Sequence, residues 1–359
     1  MDGLRLERVR ASAQWRDGTF HNPLVQRAEL QGASLPVLGE WLFKRGHRKP
    51  PAPLPFDRPH ERWGQPVDTG LRATWLGHST VLLELDGRRV LTDPVLATRI
   101  GPVSFVGPKR FHPAPATVEE LPPLDVVLVS HDHFDHLCRR TIEQLARRRV
   151  PFVTALGVGV YLERYGVDPA VITELDWNER AEVAGIRFTA TPSQHFSGRG
   201  LTSRNRTLWA SWVIESERHK VFFSGDTGLF PGMAEIGEKL GPFDVTMIEV
   251  GQYHRAWPDW HIGPEQALIA HRMVRGKVFF PIHWGLFELA AHGWTEPMER
   301  ALAAAEKSGA VIVSARPGRS VETAGTPAFD RWWPDEPWTP GERDPIVSTK
   351  MGGTAVGTP

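Results

Sequence analysis

Residues 131–136 read His131-Asp132-His133-Phe134-Asp135-His136 and follow directly on a nearly continuous apolar run at 124–130. Such a run is the pattern of a strand buried on both faces. Four potential metal ligands within six residues, at the end of a rigid strand, are hard to account for as packing. While the chain stays extended, His131 and His133 point the same way, so both imidazoles can reach one ion. As the chain turns towards a helix, Asp135 and His136 can face a second ion beside the first. The fold must therefore bring the end of a buried strand to a site.

Other strand ends carry further donors. His195 closes Thr191-Pro192-Ser193-Gln194-His195, Asp226 follows Val221-Phe222-Phe223-Ser224-Gly225, and His283 follows Val278-Phe279-Phe280-Pro281-Ile282. Each emerges as an apolar strand stops, which is how ligands from separate strands converge on one sheet edge. Taken singly, each reads as an ordinary loop residue. With the first cluster they complete seven nitrogen and oxygen donors, which suit two borderline divalent ions, zinc by preference, better than one. The expected assignment is His131, His133 and His195 on one ion and Asp135, His136 and His283 on the other, with Asp226 bridging. Paired ions of this kind sit about 3.5–4 Å apart and share a water whose pKa falls to about 7. Cys138, the single cysteine, is displaced from the cluster by Leu137 and is expected to point into the following helix.

From residue 71 the chain reads as short apolar strands separated by turns, with Asp86-Gly87 as a hairpin turn. Strands are expected at 74–76, 79–85, 89–92, 124–130, 151–155, 180–184, 186–191, 209–215, 220–224, 245–250, 277–281 and 311–315. Helices are expected at 139–149, 264–274 and 296–308, the second opening with Pro264 in its first turn. Hairpins first and βα units afterwards suggest two mixed sheets packed together with helices outside. No repeat at solenoid periods is evident. Residues 1–68 differ: Lys44-Arg45-Gly46-His47-Arg48-Lys49 precedes Pro50-Pro51-Ala52-Pro53-Leu54-Pro55, and proline at that density predicts an extended arm with a short helix at most. The main domain is expected at 69–322, and 323–359 reads as an irregular tail.

The 42 basic and 42 acidic side chains cancel, which gives no global field for gripping nucleic acid. One cysteine allows no intrachain disulfide. The N-terminus is charged where a signal peptide needs an apolar stretch, and no run approaches the roughly 18–20 apolar residues of a membrane span. A cytoplasmic chain is the default expectation. Trp41, Trp63, Trp332, Trp333 and Trp338 lie in the arm and tail, where they staple the termini to the core or touch a bilayer surface, stapling being favoured.

The order of donors, H-x-H-x-D-H and then His, Asp and His on later strands, resembles the metallo-β-lactamase superfamily. The resemblance covers Trp75 to about Gly318 and implies a four-layer αββα sandwich. Trp75-Leu76-Gly77-His78-Ser79-Thr80, Leu91-Thr92-Asp93-Pro94, Gly107-Pro108-Lys109-Arg110-Phe111, Gly251-Gln252-Tyr253, His261-Ile262-Gly263-Pro264-Glu265-Gln266-Ala267 and Ile282-His283-Trp284-Gly285 look like the N-acylphosphatidylethanolamine-hydrolysing phospholipase D branch. Gly263 stands where that branch usually carries Asn or Asp. His133 is not acidic, unlike the iron-binding redox members.

The metal set implies hydrolysis by a hydroxide shared between two ions but leaves the scissile bond open. The branch resemblance favours a phosphodiester of an N-acylphosphatidylethanolamine-like phospholipid. The alternatives are a lactone, amide or other carbonyl ester on the same site, or a metal-stabilised scaffold without catalysis. Asp135 and Asp226 are the expected catalytic carboxylates. His261 is the candidate for steering the leaving group or substrate head, or else neighbours a helix cap. Tyr253 is a candidate oxyanion donor or a core residue. His78 and Asp93 are expected to brace the ligands. His254, His271 and His292 read as surface or helix residues, and Lys109-Arg110 as a surface pair more than a phosphate site. Expected partners are a small-molecule or phospholipid substrate, with peripheral membrane contact and a homodimer both left open.

Overall fold

The computed structural model describes residues 1–25, 39, 47–200, 202–323 and 329–351. Trp41 and residues 44–46 of the basic run fall outside them. The expectation of an extended arm needs correction at its start. Helix α1 (Gly3–Ala11) leads into a hairpin of β1 (Trp15–Arg16) and β2 (Thr19–Phe20), and α2 (His60–Trp63) precedes the main domain. The prolines cluster at 50–59, so they leave the first twenty residues free to form helix and hairpin.

The apolar runs build two seven-stranded sheets. The first holds β3 (Leu71–Gly77), β4 (Thr80–Leu85), β5 (Arg88–Thr92), β6 (Val126–Val129), β7 (Phe152–Ala155) and β8 (Ile172–Leu175). The second holds β9 (Arg180–Val183), β10 (Ile186–Thr191), β11 (Ser211–Glu215), β12 (Lys220–Phe223), β13 (Phe243–Glu249), β14 (Gly276–Ile282) and β15 (Val311–Ile312). A last strand, β16 (Ser320–Glu322), returns to the first sheet and pairs antiparallel with β3. Asp86 and Gly87 both take positive φ, 46° and 81°, as a tight hairpin between β4 and β5 requires. Although no sequence repeat is evident, the two sheets share one pairing order: three antiparallel neighbours, then three parallel ones.

Strands β3, β4, β6 and β7 are buried at every residue, as expected of strands covered on both faces, and one apolar core runs through both sheets. The helices are α3 (Arg139–Ala146), α4 (Gly159–Arg164), α5 (Gly232–Leu240), α6 (Pro264–Met273) and α7 (Glu296–Ser308). Thr141, Ile142 and Leu145 form the buried stripe of α3, while α6 lies on β13, β14 and α7. This is the expected αββα sandwich.

The consequence for the site is directional. His78, Asp93, residues 131–136, His195, Asp226, Glu249 and His283 stand at or just beyond the carboxyl ends of β3, β5, β6, β10, β12, β13 and β14. Both sheets therefore deliver their carboxyl ends to one cleft, the ordinary place for a ligand site in such sheets. Trp63, Trp332 and Trp333 are buried: Trp63 Nε1 donates to Thr74 Oγ1 (3.1 Å), and Trp332 packs against Trp75 and Trp284. Stapling is what these tryptophans do. Among the described residues no helix is long and apolar enough to cross a membrane.

Candidate metal centre

The seven expected donors converge. His131 Nε2 lies 2.9 Å from His133 Nδ1, which lies 3.3 Å from His195 Nε2. Asp226 Oδ2 is 3.7 Å from His131 Nε2 and 3.6 Å from His195 Nε2. The same carboxylate faces the other set, with Oδ2 3.1 Å from His136 Nε2 and Oδ1 3.2 Å from His283 Nε2. Asp135 Oδ2 completes that set at 3.7 Å from His136 Nε2 and 3.5 Å from His283 Nε2. Asp226 thus stands between two groups of donors.

The partners of the far ring nitrogens settle where the lone pairs face. Ser130 Oγ donates to Asp93 Oδ2 (2.7 Å) and so accepts from His131 Nδ1 (2.9 Å). His136 Nδ1 donates to the same Asp93 oxygen at 2.6 Å, and His195 Nδ1 donates to the Trp260 carbonyl at 2.8 Å. In all three, Nε2 is left as an acceptor aimed at the centre, next to other acceptors. His136 Nε2, His283 Nε2 and Asp226 Oδ1 are buried without a hydrogen-bond partner. Lone pairs converging in a buried space call for a cation.

The electrostatics agree. Against the desolvation that burial imposes, His136 holds the Asp226 and Asp135 carboxyls well below their ordinary range. The reciprocal fields of Asp226 and Asp135 overcome desolvation and push His283 up to about 10. The carboxylates thus draw positive charge into the centre, and a divalent cation supplies it while leaving the imidazoles neutral with their inward nitrogens free to ligate, so the donors fit such ions. Burial lowers His195 to about 3, the neutral form a ligand needs. Backbone strain gathers here too: His78, Asp93, Gln252 and His283 all take positive φ, between 33° and 65°.

Asp93 and His78 brace as expected. His78 Nε2 donates to Asp135 Oδ2 (3.0 Å), and Gln252 Nε2 donates to the same oxygen (3.2 Å). Glu249 is an addition to the expected set. It is fully buried, its Oε2 accepts from His261 Nδ1 (2.7 Å) and its Oε1 from the Thr227 N–H (2.5 Å). Desolvation and the nearby Asp226 raise its carboxyl well above the usual range. The strand-end rule that picks out His195, Asp226 and His283 applies to it equally. A strand expected to reach residue 250 hides it, because Glu249 then falls inside. His261 lies 3.9 Å from Asp226 Oδ2, at the edge of the centre rather than merely beside a helix cap.

Other expectations are decided or corrected. Tyr253 is a packed residue: its hydroxyl donates to Glu296 Oε1 (2.6 Å) and its ring stacks on His292, so it has no free hydroxyl for an oxyanion. Arg110 is buried, donating to the carbonyls of Leu76 (3.1 Å) and Val95 (3.4 Å). His271 lies on helix α6, one of its two expected places, and is buried there, bonded to Thr246 Oγ1 at 2.7 Å. At Gly263 an added Cβ would fall 2.8 Å from Ile346 Cβ, so the tail fills the space that an Asn or Asp would need.

The profile of the beta-lactamase superfamily domain matches residues 88–284, just over half of the chain. The chain belongs to the metallo-β-lactamase superfamily. An uncharacterized protein of Mycobacterium tuberculosis is 42% identical over 332 residues, covering 90% of this chain and 87% of the relative. The N-acyl-phosphatidylethanolamine-hydrolyzing phospholipase D 1 of Caenorhabditis elegans is 38% identical over 246 residues, 65% of this chain and 69% of the relative. The fold is shared with Igni18, a metallo hydrolase of the archaeon Ignicoccus hospitalis, at a TM-score of 0.54 and 24% identity over 70% of this chain and 97% of that one. As a member of the superfamily, the chain is a metal-dependent hydrolase. The matched span contains every expected donor together with Glu249 and His261, and leaves His78 and both termini outside it.

Proposed function

We propose that this metallo-β-lactamase-superfamily member is a dinuclear zinc hydrolase that cleaves the phosphodiester of N-acylphosphatidylethanolamine-like phospholipids. The observation that carries the dinuclear part is Asp226, whose Oδ2 lies near donors of both groups, His131 and His195 on one side and His136 on the other, while its Oδ1 faces His283. The similarity to the Caenorhabditis elegans phospholipase supports the choice of bond. His131, His133 and His195 would hold one ion, Asp135, His136 and His283 the other, and Asp226 both. When bound, such ions supply an activated water at neutral pH and Lewis-acid stabilisation of charge on phosphoryl oxygens.

The remaining work belongs to the chain. Asp93 and Ser130 keep the His131 and His136 rings oriented with Nε2 inward. His78 and Gln252 hold Asp135. His261, with Nδ1 engaged by Glu249, has Nε2 left for the leaving group or head group, and its side chain keeps 8% exposure where His195 and His283 have none.

The test is turnover of an N-acylphosphatidylethanolamine by zinc-loaded protein, with products identified by mass spectrometry. The expected products are an N-acylethanolamine and phosphatidic acid, with Asp135→Ala lowering turnover at least about a thousandfold. Intact substrate after incubation with protein that holds its zinc would refute the phosphodiester reading. Hydrolysis of a lactone or carboxylic ester by the same protein would replace it.

A further inference from the structure

His195 is gripped directly by one residue outside the matched domain, Asn22, and indirectly by the tail. Its backbone N–H donates to Asn22 Oδ1 (2.9 Å), and its carbonyl accepts from Asn22 Nδ2 (2.7 Å). The Asn22 amide therefore pairs with this residue as a neighbouring strand would. Trp209 Nε1 donates to the same Asn22 oxygen (3.1 Å), which fixes the amide's orientation.

The ring of His195 is held by a loop that the other terminus pins. Its Nδ1 donates to the carbonyl of Trp260, the residue after Asp259. Asp259 is buried, 4% exposed, and its carboxylate accepts from the Thr349 N–H (2.9 Å) and Thr349 Oγ1 (2.7 Å) and pairs with Lys350 Nζ (3.3 Å). A buried carboxylate stays where its donors are, so the tail fixes this loop. Ile346 adds steric closure by filling the space above Gly263, two residues beyond His261. Lys350 Nζ also donates to the Val25 carbonyl (2.6 Å), which joins the two termini beside the centre.

We propose that the two terminal segments form a belt that positions His195 as a metal ligand, Asn22 setting its backbone and the tail-held Asp259–Trp260 loop setting its ring. The proposal rests on the assignment of His195 as a ligand. Outer partners of this kind fix the orientation of a ligating imidazole, and removing one weakens metal affinity about 10- to 100-fold.

The test is zinc affinity of the full chain, measured by competition with a chromogenic chelator, for wild type, Asn22→Asp and Asp259→Ala. Asn22→Asp preserves shape but sets a carboxylate oxygen against the His195 carbonyl. Each variant should weaken zinc binding about 10- to 100-fold while keeping its circular dichroism spectrum. In a His195→Ala background neither should weaken it further, since coupled residues are not additive. If Asn22→Asp does not fold, Asn22→Ala removes both bonds without the repulsion and carries the same expectation. Wild-type affinity in either folded variant overturns the belt, as does an undiminished loss in the His195→Ala background. Wild-type affinity in His195→Ala alone would sink the ligand assignment, and the belt with it.

Discussion

Asp93 touches no other strand-end carboxylate, yet Asp93→Asn should damage the centre. One of its oxygens accepts from the Ser130 N–H (2.7 Å), and the other accepts from Ser130 Oγ (2.7 Å) and His136 Nδ1 (2.6 Å). An asparagine that keeps its oxygen towards the Ser130 N–H must turn its amide hydrogens on the other two donors. Hydrogen bonds to a charged acceptor contribute about 1.5–3 kcal/mol each, so about 3–6 kcal/mol is at stake at a fully buried carboxylate. Part is recovered if His136 moves its proton to Nε2, but that removes a lone pair from the centre. The expected net effect is about a 10- to 100-fold loss of zinc affinity, equivalent to about 1.4–2.7 kcal/mol. Chelator competition at neutral pH on wild type and variant measures it. Equal affinities in a variant shown to fold would refute the claim that Asp93 orients the ligand rings.

Three further outcomes follow from the same geometry. Tyr253→Phe should lower stability by about 1–3 kcal/mol in urea denaturation, because Glu296 Oε1 loses its donor, while kcat stays within about twofold; a large fall in kcat would restore Tyr253 to the chemistry. Gly263→Asn should cost about 1–3 kcal/mol and loosen the tail, which limited proteolysis after residue 340 would detect, since its Cβ would fall 2.8 Å from Ile346 Cβ. Burial lowers His112 to about 3 and His271 to about 4, so both remain neutral in the fold at pH values where the unfolded chain, with an ordinary histidine pKa near 6.5, takes up protons. The contribution of these two groups should therefore be full above about pH 6.5 and fall as the pH drops towards 4 and then 3, by up to about 1.4 kcal/mol per pH unit for each group. Urea midpoints that do not change between pH 6.5 and 4.5 would contradict this.

The centre is legible in the sequence because its donors obey one local rule: a polar residue appears where an apolar strand stops. That rule picks out His131, His133, Asp135, His136, His195, Asp226 and His283, and it misses Glu249 only through a strand boundary one residue too long. Helix α7 is legible to the residue, since Pro297 marks its first turn and Gly309, at φ 67°, its end. The roles of Asn22 and Asp259 are not legible, because each acts through a contact more than sixty residues away that carries no periodicity. Arg110 misleads and Tyr253 stays undecided for a related reason: a charged or hydroxyl side chain in a motif suggests an exposed role, and burial against specific carbonyls or a carboxylate is invisible until the sheets are assembled.

The central claim is that Asp226 joins two cation positions in one hydrolytic site. Elemental mass spectrometry of the zinc-saturated, exhaustively dialysed chain, beside Asp226→Ala, tests it most directly. The account predicts two zinc ions per wild-type chain and fewer than two in the variant, with turnover lost in step. One zinc ion per wild-type chain at full turnover, or two ions retained without Asp226, would contradict it.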